Sequence, residues 1–126
     1  MHSVSEFGWT QRTAEEVGDL ISRLFDKYDA LAAKWGVKKL DVIGDAFLGV
    51  AGLPQQVEDH AVRAAGFALE AIEQAQVTPI CYAKPHLGNV NIRFGLATGP
   101  VVASVIGTLQ HPKYTLFGTT GWYSFF

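Results

Sequence analysis

One acid in this chain stands where it could do chemistry. Asp45 sits at the tip of an apolar hairpin within the run Gly36 to Pro54. Leu40, Val42 and Ile43 lead into Gly44-Asp45, and Ala46, Phe47, Leu48 and Val50 lead away from it, so two apolar runs flank a two-residue break of the kind that turns a β-hairpin. Such strands are stiff, and a carboxylate carried between them has a preset direction. A hard cation such as Mg²⁺ needs that from oxygen ligands that must also leave room for phosphates. The plainer reading is that Gly-Asp makes the turn and nothing more, because aspartate is a common turn residue. Turn chemistry alone favours the plainer reading.

The other candidates for chemistry are weak. His2, His60, His86 and His111 form no pair at metal-ligand spacing, and read as surface, helix-start or turn residues. Cys81 is the only cysteine, which excludes an internal disulfide and a thiolate zinc cluster within one chain and fits a reducing, cytosolic setting. No Gly-x-x-x-x-Gly-Lys-Ser/Thr phosphate loop is present, and no Ser/His/Asp set stands out. Trp9, Trp35 and Trp122 read as apolar bulk rather than as a stacking platform for bases. A net charge of −2 with no Lys/Arg block argues against nucleic acid and anionic membrane surfaces as partners. No apolar run approaches the ~20 residues that span a bilayer, so this segment makes no membrane contact, while a longer parent protein is free to be anchored elsewhere. The 126 residues, 48% apolar and 17% charged, amount to a single soluble domain.

The elements that must position Asp45 follow from periodicity. Val17, Leu20, Ile21, Leu24, Phe25, Tyr28, Leu31, Ala32 and Trp35 recur at three- and four-residue steps and predict a helix over 14–35. Thr13 with Glu16 reads as a capping box, and Gly36 as the left-handed stop. Gly18 lies inside this helix, and the expectation is that close packing requires its missing side chain. After the hairpin, Asp59 is expected to cap a second helix that buries Ala61, Ala64, Ala65, Ala68, Leu69 and Ile72 close against a sheet. Residues 76–89 read as a surface loop without chemistry. Val90, Ile92, Phe94 and Leu96 alternate with Asn91, Arg93, Gly95 and Ala97 as a half-buried strand, and Val101 to Ile106 and Tyr114 to Phe117 predict two more. Helices on one face of a mainly antiparallel sheet belong to the α+β class, and a strand before the first helix would complete a ferredoxin-like βαββαβ core.

From Ala14 to Gly118 the residues resemble the catalytic domain of class III nucleotidyl cyclases, which make cAMP or cGMP. The resemblance rests on Leu24-Phe25-Asp26-Lys27-Tyr28 with Leu31-Ala32, Lys39-Leu40-Asp41-Val42-Ile43-Gly44-Asp45-Ala46, Gly52-Leu53-Pro54, Asp59-His60-Ala61, Arg93 to Ala103, and Pro112 to Gly118. Six pieces in order over most of the chain reverse the ranking of the two readings of Asp45. The implied reaction is attack of the 3′-hydroxyl of a nucleoside triphosphate on its own α-phosphate, releasing pyrophosphate, with two Mg²⁺ or Mn²⁺ ions held by two aspartates. Asp45 matches one of them, and Gly44 lets the backbone approach the phosphates. Purine choice in the family depends on positions matched here by Asp41 and Thr115. An acid at the first accepts from the guanine N1–H and amino group, so Asp41 leans towards GTP, while Thr115 can donate and accept and leaves ATP open. Family sites form between two protomers, which implies a homodimer or a heterodimer with another cyclase domain.

The chain departs from the family at both ends. Where the first strand should open on the second aspartate, Ser5-Glu6-Phe7-Gly8-Trp9-Thr10 places Ser5, a neutral hydroxyl, and half of the metal site is missing. Where the family has the asparagine that positions the ribose there is Trp122, and the transition-state arginine is absent. Residues 1–126 are therefore expected to be a partial catalytic domain, truncated or misassembled, with a degenerate first strand and its C-terminal part missing. The expectation for function is a cyclase domain impaired on its own, the alternative being an inactive, cyclase-like dimerisation or regulatory module.

Overall fold

Thr13 begins the described structure as a helix cap, its Oγ1 accepting from the Glu16 amide at 3.1 Å. The helix it opens, α1, runs Ala14–Trp35 and stops on Gly36, which adopts φ 67 as only an unhindered backbone does readily. The computed structural model describes residues 13–53, 55–107 and 112–118. The expected first strand with Ser5 and Glu6, the residues His2, Trp9 and His111, and the segment around Trp122 all lie outside the described residues.

Two residues after α1 comes the hairpin, β1 (Lys38–Ile43) paired antiparallel with β2 (Ala46–Val50). Helix α2 (His60–Gln76) and a short 3₁₀ turn (Pro85–Leu87) follow. A second antiparallel pair, β3 (Val101–Gly107) with β4 (Pro112–Gly118), completes the order. Helices and antiparallel strand pairs in this sequence make an α+β architecture, as the alternation and helical periods imply.

The core lies between α1, α2 and the inner face of the hairpin. Leu24 and Phe67 are fully buried, and Tyr28 and Phe47 are 2% exposed. Four rings interlock there: Tyr28 meets Phe47 edge-on at 5.5 Å, Phe67 stacks on Phe47 at 5.9 Å, and Phe94 closes against Phe67 at 6.2 Å. Arg23 and Lys27 of α1 then clamp the segment that follows α2. The Arg23 guanidinium donates to the carbonyls of Pro79 at 2.8 Å and Ile80 at 3.1 Å, and Lys27 Nζ donates to Thr78 Oγ1 at 2.6 Å.

Several local expectations change. Val90 and Ile92 are buried while Asn91 and Arg93 are exposed, so the alternation is real, yet residues 91–100 form no strand ladder among the described residues. Val90 N–H instead donates to Thr78 O at 2.9 Å, at the neck of the 76–89 segment. That segment is no plain surface loop, since Thr78 is fully buried and Ile80 joins the core. The buried face of α2 is Phe67, Ala68, Ala71 and Ala75, rotated from the predicted one, and Leu69 is 65% exposed. Phe67 sets that rotation because it is the one large ring on the helix that reaches the Tyr28 and Phe47 rings. Asp59 makes no side-chain cap; its Oδ1 accepts from Arg63 Nε at 2.9 Å instead. Close packing falls at Gly66, where an added Cβ would lie 2.5 Å from the Trp35 ring, whereas no described atom lies within 4 Å of one at Gly18.

Candidate functional site

The hairpin turn is built as its sequence demands. Gly44 takes φ 59 and Asp45, like every described non-glycine residue, keeps a negative φ. A left-handed glycine at the first central position is the requirement of the type II′ turn, whose twist matches that of the flanking strands. Ile43 faces Ala46 across it, so Asp45 is carried on a two-residue tip with little freedom.

Below the tip the ladder is irregular. Ile43, Val42 and Asp41 pair with Ala46, Phe47 and Leu48, but Lys39 pairs with Gly49, which leaves Leu40 as an extra residue on β1. This is a β-bulge, and it changes which way the strand presents its side chains. Cross-strand partners point to the same side of a hairpin and consecutive residues to opposite sides. Phe47 and Gly49 share the buried, helix-facing side, and Lys39 joins them. Leu48 belongs to the outer side, and Asp41 joins it.

Each acid then has a distinct environment. Asp45 is half-buried, and its Oδ2 is sealed from solvent with no hydrogen-bond partner among the described residues. A desolvated carboxylate oxygen without a donor is costly as a turn ornament and well suited to a cation. Asp41 is half-buried, and its Oδ1 accepts from the Val42 amide at 2.8 Å. Lys39 Nζ lies 3.0 Å from Asp29 Oδ1 of α1 and 6.0 Å from the centre of the Phe47 ring.

The candidate residues fall into two groups. Asp41, Gly44 and Asp45 are brought together on one hairpin, while Thr115 lies on β4 opposite Ser104 of β3, in a separate strand pair. No cluster of three or more His, Cys, Asp or Glu side chains that could hold a metal ion occurs among the described residues. The donor set present there therefore fits one ligand of a divalent cation site. The position matched to the second ligand, Ser5, lies outside the described residues. Lys39 and Asp29 escaped the sequence reading because neither matters until the register is known. The only hint was the pair Lys38-Lys39 at the start of the strand that carries Asp41. No helix among the described residues is long and apolar enough to cross a membrane.

With this geometry in hand, the comparisons with known proteins agree. Residues 3–122 match the model of the adenylate and guanylate cyclase catalytic domain. The guanylate cyclase soluble subunit beta-2 of Rattus norvegicus is 38% identical over 106 residues, which is 83% of this chain and 15% of that protein. Among solved structures, the guanylate cyclase domain of RhGC from Catenaria anguillulae, in complex with GTP, superposes with a TM-score of 0.80 at 38% identity, covering 94% of this chain and 64% of that one. A dimeric guanylyl cyclase domain of the RhoGC fusion protein from Blastocladiella emersonii gives 0.81 at 36% identity, covering 94% and 65%. The chain thus spans less than two thirds of the solved domains and a small part of the curated protein.

Proposed function

The chain belongs to the adenylate and guanylate cyclase catalytic domain family, and from that premise we propose that it is the metal- and purine-facing part of a domain that converts GTP or ATP to a 3′,5′-cyclic nucleotide and pyrophosphate. Members of this family are lyases that make cyclic nucleotides for signalling. The observation that carries the reading to this chain is the sealed Oδ2 of Asp45, without a donor among the described residues, on a rigid glycine turn. When bound, a pair of Mg²⁺ or Mn²⁺ ions supplies activation of the attacking hydroxyl and neutralisation of the leaving charge. Asp45 would hold one of those ions at the hairpin tip. Gly44 gives the triphosphate room to approach the backbone, since no described atom lies within 4 Å of where its Cβ would stand. Asp41, on the outer side of the hairpin, meets the purine and favours guanine, with Thr115 as the second base contact. GTP is therefore the preferred substrate, by a modest margin, because aspartate reaches less far than glutamate.

The site is completed across a dimer, either of two copies or with another cyclase domain, in a cytoplasmic setting. Ser5 and Trp122, at the positions of a metal ligand and a ribose contact, favour the reading that this chain is impaired alone and acts as a dimerisation partner that completes a site with an intact domain. One experiment tests both readings. The chain is incubated with GTP or ATP and Mn²⁺, alone and mixed with an intact guanylyl cyclase domain, and cyclic nucleotide is measured. The expected result is little product alone and more in the mixture than the intact domain makes by itself. Asp45→Ala removes the contribution of this chain; product unaffected by that substitution would remove Asp45 from the metal site.

A further inference from the structure

Counted from the turn, the hairpin register runs unbroken through three pairs, Ile43 with Ala46, Val42 with Phe47 and Asp41 with Leu48. The irregularity at Leu40 lies beyond them. Because facing alternates along each strand and is shared across it, Val42 and Phe47 look towards the helices while Ile43, Ala46, Asp41 and Leu48 share the outer side. Phe47 anchors the assignment, since its ring is 2% exposed and packs on Tyr28 and Phe67. Directly paired side chains have their Cβ atoms about 5 Å apart, which makes Leu48 the nearest outer-side neighbour that the ladder gives Asp41. Ile43, two residues along the same strand, stands about 7 Å away. Lys38, opposite Val50, belongs to the next outer pair, past the bulge.

The outer side is made to be covered. An antiparallel hairpin with one face in water places polar residues on that face, whereas β2 reads Ala46-Phe47-Leu48-Gly49-Val50 and is apolar on both. On β1, Ile43 extends the outer surface and is 60% exposed, and Leu48 beside it is half-buried. Into this aliphatic surface the sequence sets one carboxylate, that of Asp41, whose Oδ1 accepts from the Val42 amide at 2.8 Å and is thereby oriented. Across a strand pair an acid is steadied by a cation or a hydrogen-bonding side chain, and leucine is neither. Apolar surface around an oriented acceptor is instead the make-up of a small-molecule subsite, in which the apolar part covers a ring and the polar group fixes its edge. Guanine has the matching features, a flat π face and an edge that carries the N1–H and amino donors.

We propose that Leu48 is a substrate-binding residue: its side chain is the apolar wall on which the face of the purine rests while Asp41, its cross-strand partner, reads the edge. The proposal rests on the reading of Asp41 as the base-facing acid. It divides the work between the two strands. Leu48 holds any purine, because every base has an apolar face, whereas Asp41 chooses between purines, because only the edge differs. Leu48 takes no part in holding the phosphates or the ions, which belong to the tip at Gly44 and Asp45.

The test follows the Leu48 methyl groups and the Asp41 amide by NMR in the labelled full chain, mixed with an unlabelled intact guanylyl cyclase domain and Mg²⁺. The probes are 3′-deoxy-GTP and 3′-deoxy-ATP, which lack the attacking hydroxyl and are not turned over, and inorganic triphosphate, which has no base. Both nucleotides are expected to move the Leu48 methyls upfield, as a ring current does to protons above a ring face, and triphosphate is expected to leave them in place. Leu48→Ala is expected to weaken both nucleotides by roughly three- to tenfold, through the lost apolar contact, with triphosphate binding unchanged. Leu48→Met is expected to restore most of that loss. Asp41→Asn is expected to abolish the preference for the guanine nucleotide while the Leu48 methyls still shift. Methyls that stay in place while the Asp41 amide responds to guanine overturn the proposal and leave the reading of Asp41 standing. Leu48→Ala that weakens triphosphate as much as the nucleotides also overturns it, since the leucine then serves only the hairpin. No base-dependent change at either residue overturns both the proposal and the reading on which it rests.

Discussion

Helices α1 and α2 lie side by side in one core, yet they are held by different means. α1 is fixed at its ends, by Thr13 accepting from the Glu16 amide and by Gly36 in the left-handed region. α2 has neither device: Asp59 turns its carboxylate to Arg63, and Val77 closes the helix at φ −102 without a left-handed turn. What fixes α2 lies in its middle, where fully buried Phe67 enters the aromatic cluster and Gly66 admits the Trp35 ring of α1. One helix is thus specified by its own sequence, and the other by its neighbour. The consequence is that α1 should respond to substitutions at its ends and α2 to substitutions at its centre.

The two helical glycines give the largest contrast. A Cβ at Gly66 would lie 2.5 Å from Trp35 Cζ3, so Gly66→Leu must displace the indole and is expected to cost about 2 kcal/mol, within the usual range for overpacking. Gly18→Ala meets no described atom within 4 Å and is expected to stabilise α1 by up to about 1 kcal/mol, through helix propensity and a less flexible unfolded chain. Urea unfolding of both variants checks the pair. A neutral Gly66→Leu would break the view that α2 is set by the Trp35 contact.

Tyr28 sharpens the same comparison at the point where the helices and the hairpin meet. Its ring contacts Phe25, Phe47, Phe67 and Phe94, but its hydroxyl is sealed and has no partner among the described residues. Burial holds the phenol above its ordinary pKa of 10.0. As pH rises past 10, the unfolded chain releases this proton and the folded chain keeps it, so folding stability falls with pH. Tyr28→Phe keeps the ring contacts and removes the unmet hydroxyl. It is expected to be about 1 kcal/mol more stable at neutral pH, with the margin over the unsubstituted chain widening above pH 10. Denaturation at pH 8 and pH 10.5 measures both. A destabilised Tyr28→Phe would mean that the hydroxyl has a partner beyond the described residues.

These contrasts explain what could be read from the sequence. α1 was legible to its last residue because a cap, a stripe and a left-handed glycine are all local signals. The Gly44-Asp45 turn was legible for the same reason. The face of α2 was not, because a helix rich in alanine has several nearly equivalent apolar faces, and only contact with Tyr28 and Phe47 selects the one led by Phe67. The alternation at Val90 and Ile92 gave the right side-chain facing but not the hydrogen bonding, since a ladder needs a partner strand that alternation does not name. In the candidate site, Asp45 was found through its turn. The facing of Lys39 was invisible, because the Leu40 bulge exists only in relation to β2 and the ion-pair partner, Asp29, lies on another element.

The helix starts supply the smallest and most direct contrast. Thr13→Ala removes a real side-chain acceptor from the Glu16 amide and is expected to cost about 1 kcal/mol. Asp59→Ala removes only an exposed pair with Arg63 four residues on, a type of contact that contributes about 0.3–0.5 kcal/mol. Sequence alone offers both as helix-preceding residues of good capping type, with a glutamate three residues on only at Thr13. The structure ranks them apart because Asp59 adopts φ −92 and ψ 23 rather than the extended backbone that Thr13 uses to aim its oxygen at the helix. Parallel thermal melts of the two variants separate the possibilities. Equal losses would show that α2 is capped in solution after all, and its placement would then owe as much to its own first turn as to Phe67 and Gly66.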